Sequence, residues 1–123
     1  MNKSDLVPLL DMYNYGLKIQ DYTSGKTLED FETDEIGLSA VMYWLVIFGE
    51  AANRVSESFQ ASHPEIPWAQ VVAMRNILVH AYWRIRNDLV WSAITQTLPP
   101  LLVQLKSWVE SAANATPDPD AQS

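Results

Sequence analysis

Apolar side chains in this chain recur every three or four residues, and no stretch alternates with the period of two that a half-buried strand requires. Internal repeats and low-complexity blocks are absent as well. The pattern restricts the fold to helices packed on helices: all-α, an up-and-down bundle of four main helices with short extra helices. With 123 residues the chain forms one domain with a modest core.

Ser4 to Tyr22 reads as the first helix, capped by Ser4 or Asp5, with Pro8 in or near its first turn. Leu6, Leu9, Leu10, Tyr13 and Leu17 supply its apolar face, and Thr23-Ser24-Gly25 ends it. Thr27 to Phe31 predicts one or two turns, with Asp30 placed to complete a capping box. The longest helix opens at Thr33 and Asp34 and runs to about Ala61, its inner face marked by Val41, Leu45, Phe48, Ala52, Val55 and Phe59. Gly49, Ala51 and Ala52 leave room for another helix to come close, from this chain or a second copy. Beyond a loop bracketed by Pro64 and Pro67, a central helix spans Ile66 to Tyr82. Asn87 is the expected N-cap of an amphipathic helix reaching Leu98, and Pro99-Pro100 is expected to break or sharply kink it. A last helix runs from Leu101 to about Ala113, so the domain is 1–113 and 114–123 is expected to be a disordered tail.

The central helix holds the main functional lead. Trp68, Val71, Val72, Leu78, Val79 and Tyr82 form an apolar stripe with Arg75 in its middle. The opposite face, Ala69, Ala73, Asn76, Ile77 and His80, is mostly small or apolar, so burial on two sides is expected. A guanidinium among such neighbours is costly unless it is paired or lines a wet pocket. One reading pairs Arg75 with a carboxylate such as Glu50 and makes His80 a core or interface residue. The other treats the two as a site. On a continuous helix Arg75 and His80 point about 140° apart, while Asn76 and His80 share a face. Convergence on one ligand therefore needs unwinding near His80 or groups from a second protomer, which favours a two-fold dimer.

Composition excludes several classes. Cys is absent, so disulfide scaffolds and thiol nucleophiles are ruled out, in keeping with a reducing compartment. Two His are too few for a dedicated His-rich metal site in one chain, and neither metal nor cofactor is expected. The net charge of −7 argues against a broad nucleic-acid-coating surface. Yet Arg75, Arg84 and Arg86 crowd into one short window, so a local anion site remains open. The N-terminal residues lack the apolar core of a signal peptide, and the longest uncharged run, Ile36 to Gly49, is too short for a bilayer. A cytoplasmic protein without a membrane segment is the expectation. Glu50 and Arg54 stand four apart and could pair; alternatively, Glu50 lies in the cleft as the counter-ion to Arg75. His63, in the loop before Pro64, is expected to be an exposed surface residue.

Arg75-Asn76-Ile77-Leu78-Val79-His80-Ala81-Tyr82 resembles the R-x4-H-x-Y signature of HepT toxins in the HEPN superfamily. Phe48 to Arg54 resembles the Gly-Glu-Ala-Ala segment of that family's long helix, and Pro67-Trp68, Val90-Trp91 and Leu98-Pro99 also match. The similarity covers roughly residues 5 to 110 in unbroken order. It implies a dimeric, HEPN-like, metal-independent endoribonuclease toxin of a toxin–antitoxin system. His80 would be the general base on a ribose 2′-hydroxyl, since imidazole titrates near neutrality. Arg75 would hold the scissile phosphate, and Asn76 would position His80 or the phosphate. Arg84 and Arg86 would attract the flanking RNA backbone, and Trp83 could stack on a base. Tyr82 would be adenylylated by the partner, a minimal nucleotidyltransferase antitoxin, which silences the toxin. Two other readings remain: a non-catalytic HEPN module that binds a nucleotide or phosphate and the nucleotidyltransferase, and a helical dimerisation domain without a ligand.

Overall fold

The computed structural model describes residues 1–114, so the expected tail lies outside the described residues from 115 onward. The ordered elements among the described residues are all helical, with no strand. Their order is α1 (Lys3–Thr23), α2 (Leu28–Thr33), α3 (Glu35–Arg54), α4 (Glu57–Ser62) and α5 (Trp68–His80), followed by a 3-10 turn (Tyr82–Arg84). Then come α6 (Asn87–Ser92), a π turn (Ala93–Thr97) and α7 (Leu98–Ala113). The four main rods are α1, α3, α5 and the run from α6 through α7, and α2 carries the expected Thr27–Asp30 capping box.

Several boundaries differ from the expectation, each for a physical reason. The cap of α1 is Asn2, whose side chain accepts from the Ser4 amide at 3.3 Å, rather than Ser4 or Asp5. Asp5 is buried instead, and its carboxylate accepts from the Ser56 amide at 2.8 Å and the Ser56 hydroxyl at 2.7 Å. These bonds split the expected single helix to Ala61 into α3 and α4, because the Ser56 N–H leaves the helical ladder. Val55 turns extended, Ser56 caps α4 through the Phe59 amide, and the Gln60 side chain donates to the carbonyls of Ala52 and Val55. Such reciprocal satisfaction is what a buried break in a helix requires.

Pro99 and Pro100 do not break the last rod. The backbone stays helical from Ser92 to Leu98, and the prolines occupy the first turn of α7, where a missing N–H is tolerated. A π turn precedes them, in which the Leu98 amide bonds Ala93 O, five residues back. Asn87 is the first residue of α6 and not its cap; Arg86 stands at the cap position without a side-chain bond.

Helix α1 packs against α3 and α7, while α5 packs on α3. The core is Leu9, Met12 and Ile19 from α1, Phe31 from α2, Val41, Phe48, Ala51 and Ala52 from α3, and Val90, Ile94, Leu102 and Leu105 from the last rod. Each of the larger side chains contributes about 1.5–3 kcal/mol by leaving water. Helix α3 is long and apolar enough for a membrane span by composition alone, but Val41, Leu45, Phe48, Ala51 and Ala52 are buried inside the bundle. His63 is not the exposed loop residue expected: its ring packs between Phe59 and Trp108, with centroids 4.5 Å away on each side.

Candidate active site

Helix α5 is shorter than the Ile66–Tyr82 span expected. Pro67 stands outside it at the N-cap position, and the start is anchored by Trp68, whose indole Nε1 donates to His63 O at 2.9 Å. Its inner side seats against α3 at Gly49, where an added Cβ would overlap Cβ of Arg75 and press on Val71 O. The close approach foreseen for Gly49 is thus made by this chain's own α5.

That approach places Arg75 at the α3–α5 seam. Its Nη2 forms an ion pair with Glu50 Oε2 at 2.5 Å, and its Nη1 donates to Asn76 Oδ1 at 2.8 Å. Its Nε is buried and has no hydrogen-bond partner among the described residues. The Arg75 side chain is 26% exposed and Glu50 49%, so the pair borders solvent and is not sealed in the core. The expected Glu50–Arg54 pair does not form. Arg54 reaches across to Asp11 of α1 at 2.9 Å, which leaves Glu50 to Arg75.

The face expected to be covered is largely bare in the single chain, with Ile77 alone half-buried. Ala69, Ala73, Asn76 and His80 are all exposed, as is Val79, and Trp68 alone in α5 is fully buried. The reason lies in the packing: α5 leans on α3 along one side, and among the described residues no helix packs closely on the other. His80 is the last residue of α5. The unwinding comes one residue later, at Ala81, whose amide closes on Ile77 O at 2.8 Å. His80 therefore stays on the Asn76 side, about 140° around the helix from Arg75. Asn76 is bonded to Arg75 and lies one helical turn below His80.

Past α5 the 3-10 turn presents Tyr82 and Trp83, 71% and 72% exposed, with rings edge-on at 5.6 Å. Tyr82 no longer shares an edge of the helix with Arg75, as a longer α5 would have required. It borders a cleft of about 300 Å³ between α3 and this turn, lined also by Tyr43, Met42, Leu78, Ile85 and Asn87. Tyr43 escaped the sequence reading. Its signal was an exposed aromatic seven residues ahead of Glu50, hence on the same face of α3. Arg84 is exposed, whereas Arg86 is bound by the Asp88 carboxylate at 2.7 and 3.2 Å. Those bonds hold Asp88 below the usual carboxylate range and occupy the Arg86 fork. Among the described residues no cluster of three or more His, Asp or Glu is placed to hold a metal ion.

This geometry puts a guanidinium at the edge of solvent, an amide beside it and an exposed imidazole on one helix, with the imidazole on the side away from the guanidinium. Residues 12–108 match the family model described as "Ribonuclease HepT-like". A "Probable ribonuclease HepT" from Thermococcus cleftensis is 35% identical over 83 residues, 68% of this chain and 76% of that protein. "Putative RNase TTE0752" from Caldanaerobacter subterraneus is 32% identical over 82 residues, 67% of this chain and 73% of that protein. "Putative RNase MJ1380" from Methanocaldococcus jannaschii is 28% identical over 102 residues, 82% of this chain and 94% of that protein. No solved structure matches the chain.

Proposed function

The chain belongs to the HepT-like ribonuclease family, and from that premise we propose that it is an endoribonuclease toxin that cleaves RNA without a metal ion. The observation that carries the reading is the Arg75–Asn76–His80 arrangement at the solvent-facing end of α5. His80 takes the proton of a ribose 2′-hydroxyl, and the 2′-oxygen attacks the adjacent phosphorus. The bond from phosphorus to the 5′-oxygen breaks, leaving a 2′,3′-cyclic phosphate. The departing oxygen takes a proton, from the imidazolium or from water, and becomes a free 5′-hydroxyl. Arg75 neutralises the charge that gathers on the non-bridging oxygens, and Asn76 holds Arg75 in place. Arg84 draws in the flanking backbone.

The active form is a two-fold dimer in the cytoplasm. Its support is the largely bare apolar face of α5, and the wide angle between Arg75 and His80, which a second copy would bridge. A minimal nucleotidyltransferase antitoxin silences the toxin by adenylylating Tyr82, whose hydroxyl sits on a well-exposed turn. Purified Arg75→Ala and His80→Ala proteins test the reading: both should lose RNA cleavage by about 100-fold or more. Undiminished cleavage by both removes it. The alternative, a non-catalytic module that binds a nucleotide or phosphate and a nucleotidyltransferase, draws on one observation. Both outer nitrogens of Arg75 already have protein partners. A wild-type chain that binds RNA yet never cleaves it would select that alternative.

A further inference from the structure

We propose that Glu50 is a displaceable counter-ion, a positioning residue that holds the Arg75 guanidinium until an RNA phosphodiester takes its place. The ligand's identity rests on the nuclease reading above; the exchange itself rests on the geometry of the fork.

A guanidinium grips a phosphate best through two parallel N–H donors on one edge. Neither edge of Arg75 is open. Nη1 and Nη2 are engaged by Asn76 and Glu50, while Nε, which shares the remaining edge with Nη2, is buried without an acceptor. The resting pose is therefore one acceptor short, and buried N–H groups are seldom left so. Two oxygens of a phosphodiester would satisfy the Nε–Nη2 edge together, which one carboxylate oxygen on Nη2 does not.

The surroundings decide which groups move. Gly49 leaves no room for even a Cβ beside the Cβ of Arg75, so the base of the side chain lies tight in the seam. Glu50 is 49% exposed and can swing into water without stranding a buried charge. Carboxylate and phosphate cannot share Nη2, since both are anionic. Turning the fork off Glu50 brings Nε out of the seam toward the incoming phosphate, with the Asn76 contact as the hinge. In the empty site Glu50 keeps the guanidinium from being half-buried and unpaired. When RNA binds, the same carboxylate is a competitor and weakens the grip.

The test uses the full chain in a His80→Ala background, where RNA is bound but not cut, with a short fluorescent single-stranded RNA as probe. Glu50→Gln, or Glu50→Ser as a second neutral variant, should tighten the RNA dissociation constant by about tenfold. Glu50→Asp should restore the weaker value, and adding Arg75→Ala should erase the gain. With His80 intact, Glu50→Gln should lower KM without raising kcat. A dissociation constant that is unchanged or weaker in both neutral variants overturns the proposal and leaves a merely structural pair. Failure of every form to bind RNA overturns it together with the nuclease reading. RNA binding by His80→Ala with cleavage lost, but no effect at Glu50, leaves the nuclease reading standing alone.

Discussion

Asp5 and Ser56, 51 residues apart in sequence, are joined twice: the buried Asp5 carboxylate accepts from both the amide and the hydroxyl of Ser56. The contact ties the first turn of α1 to the joint between α3 and α4. Asp5→Ala should lower unfolding stability by roughly 2–3 kcal/mol, because a charged acceptor is removed and the part-buried Ser56 amide is left unpaired. Ser56→Ala, which keeps the amide bond, should lose about half as much. Urea titrations of the two variants check the ranking, and equal losses would contradict it.

Gly49 is where α3 and α5 come closest. Gly49→Ala should push α5 away at Arg75, costing about 1–3 kcal/mol through overpacking. RNA cleavage should fall further than stability alone accounts for, since Arg75 is displaced from Glu50. A variant as stable and as active as wild type would show that the seam gives way freely.

Tyr22 and Asp34 share a hydrogen bond at 2.9 Å that makes stability depend on pH at both extremes. The Gly37 amide, and then the Tyr22 hydroxyl, hold Asp34 below its ordinary value of 3.8. A depressed acid stabilises the fold above that ordinary value, and the contribution disappears as pH falls through the folded value. Tyr22 is pushed up to about 12 from 10.0 by burial and by the Asp34 carboxylate. Its contribution is complete below the ordinary value and is lost as pH rises toward the folded one. Tyr22→Phe should therefore lose less stability than wild type between pH 10.0 and about 12. Denaturant midpoints across that range provide the measurement, and parallel curves would refute the linkage.

Tyr82 is 71% exposed and meets Trp83 edge-on, so Tyr82→Phe should leave the melting temperature within about 1–2 °C of wild type. Coexpression with the nucleotidyltransferase should add AMP-sized mass to the wild-type chain and none to the variant. Adducts that survive the substitution would place the modification elsewhere.

The Arg75–His80 spacing and the apolar periodicity are local, and they were legible. Helical hydrogen bonds close within four residues, so the rods of α1, α3, α5 and α7, the inner face of α3 and the Thr27–Asp30 box followed from neighbouring residues, whereas Leu10, Val79 and Tyr82, expected on apolar faces, are exposed. The small residues Gly49, Ala51 and Ala52 also signalled a close helix approach. The sequence could not say whose helix it was.

What the sequence left open depends on partners far along the chain. Asp5 withdraws the Ser56 amide and splits α3 from α4; Asp11, 43 residues before Arg54, takes that arginine from Glu50; and Glu50 is thereby left to Arg75. The π turn that precedes Pro99 and Pro100 is a backbone adjustment within a packed bundle, with no residue signature of its own. Spacing along a helix determines which residues share a face, because that geometry is fixed by the backbone. Which faces are covered, and which charge neutralises which, was decided only when the helices met, because several partners compete for each polar group and packing selects one.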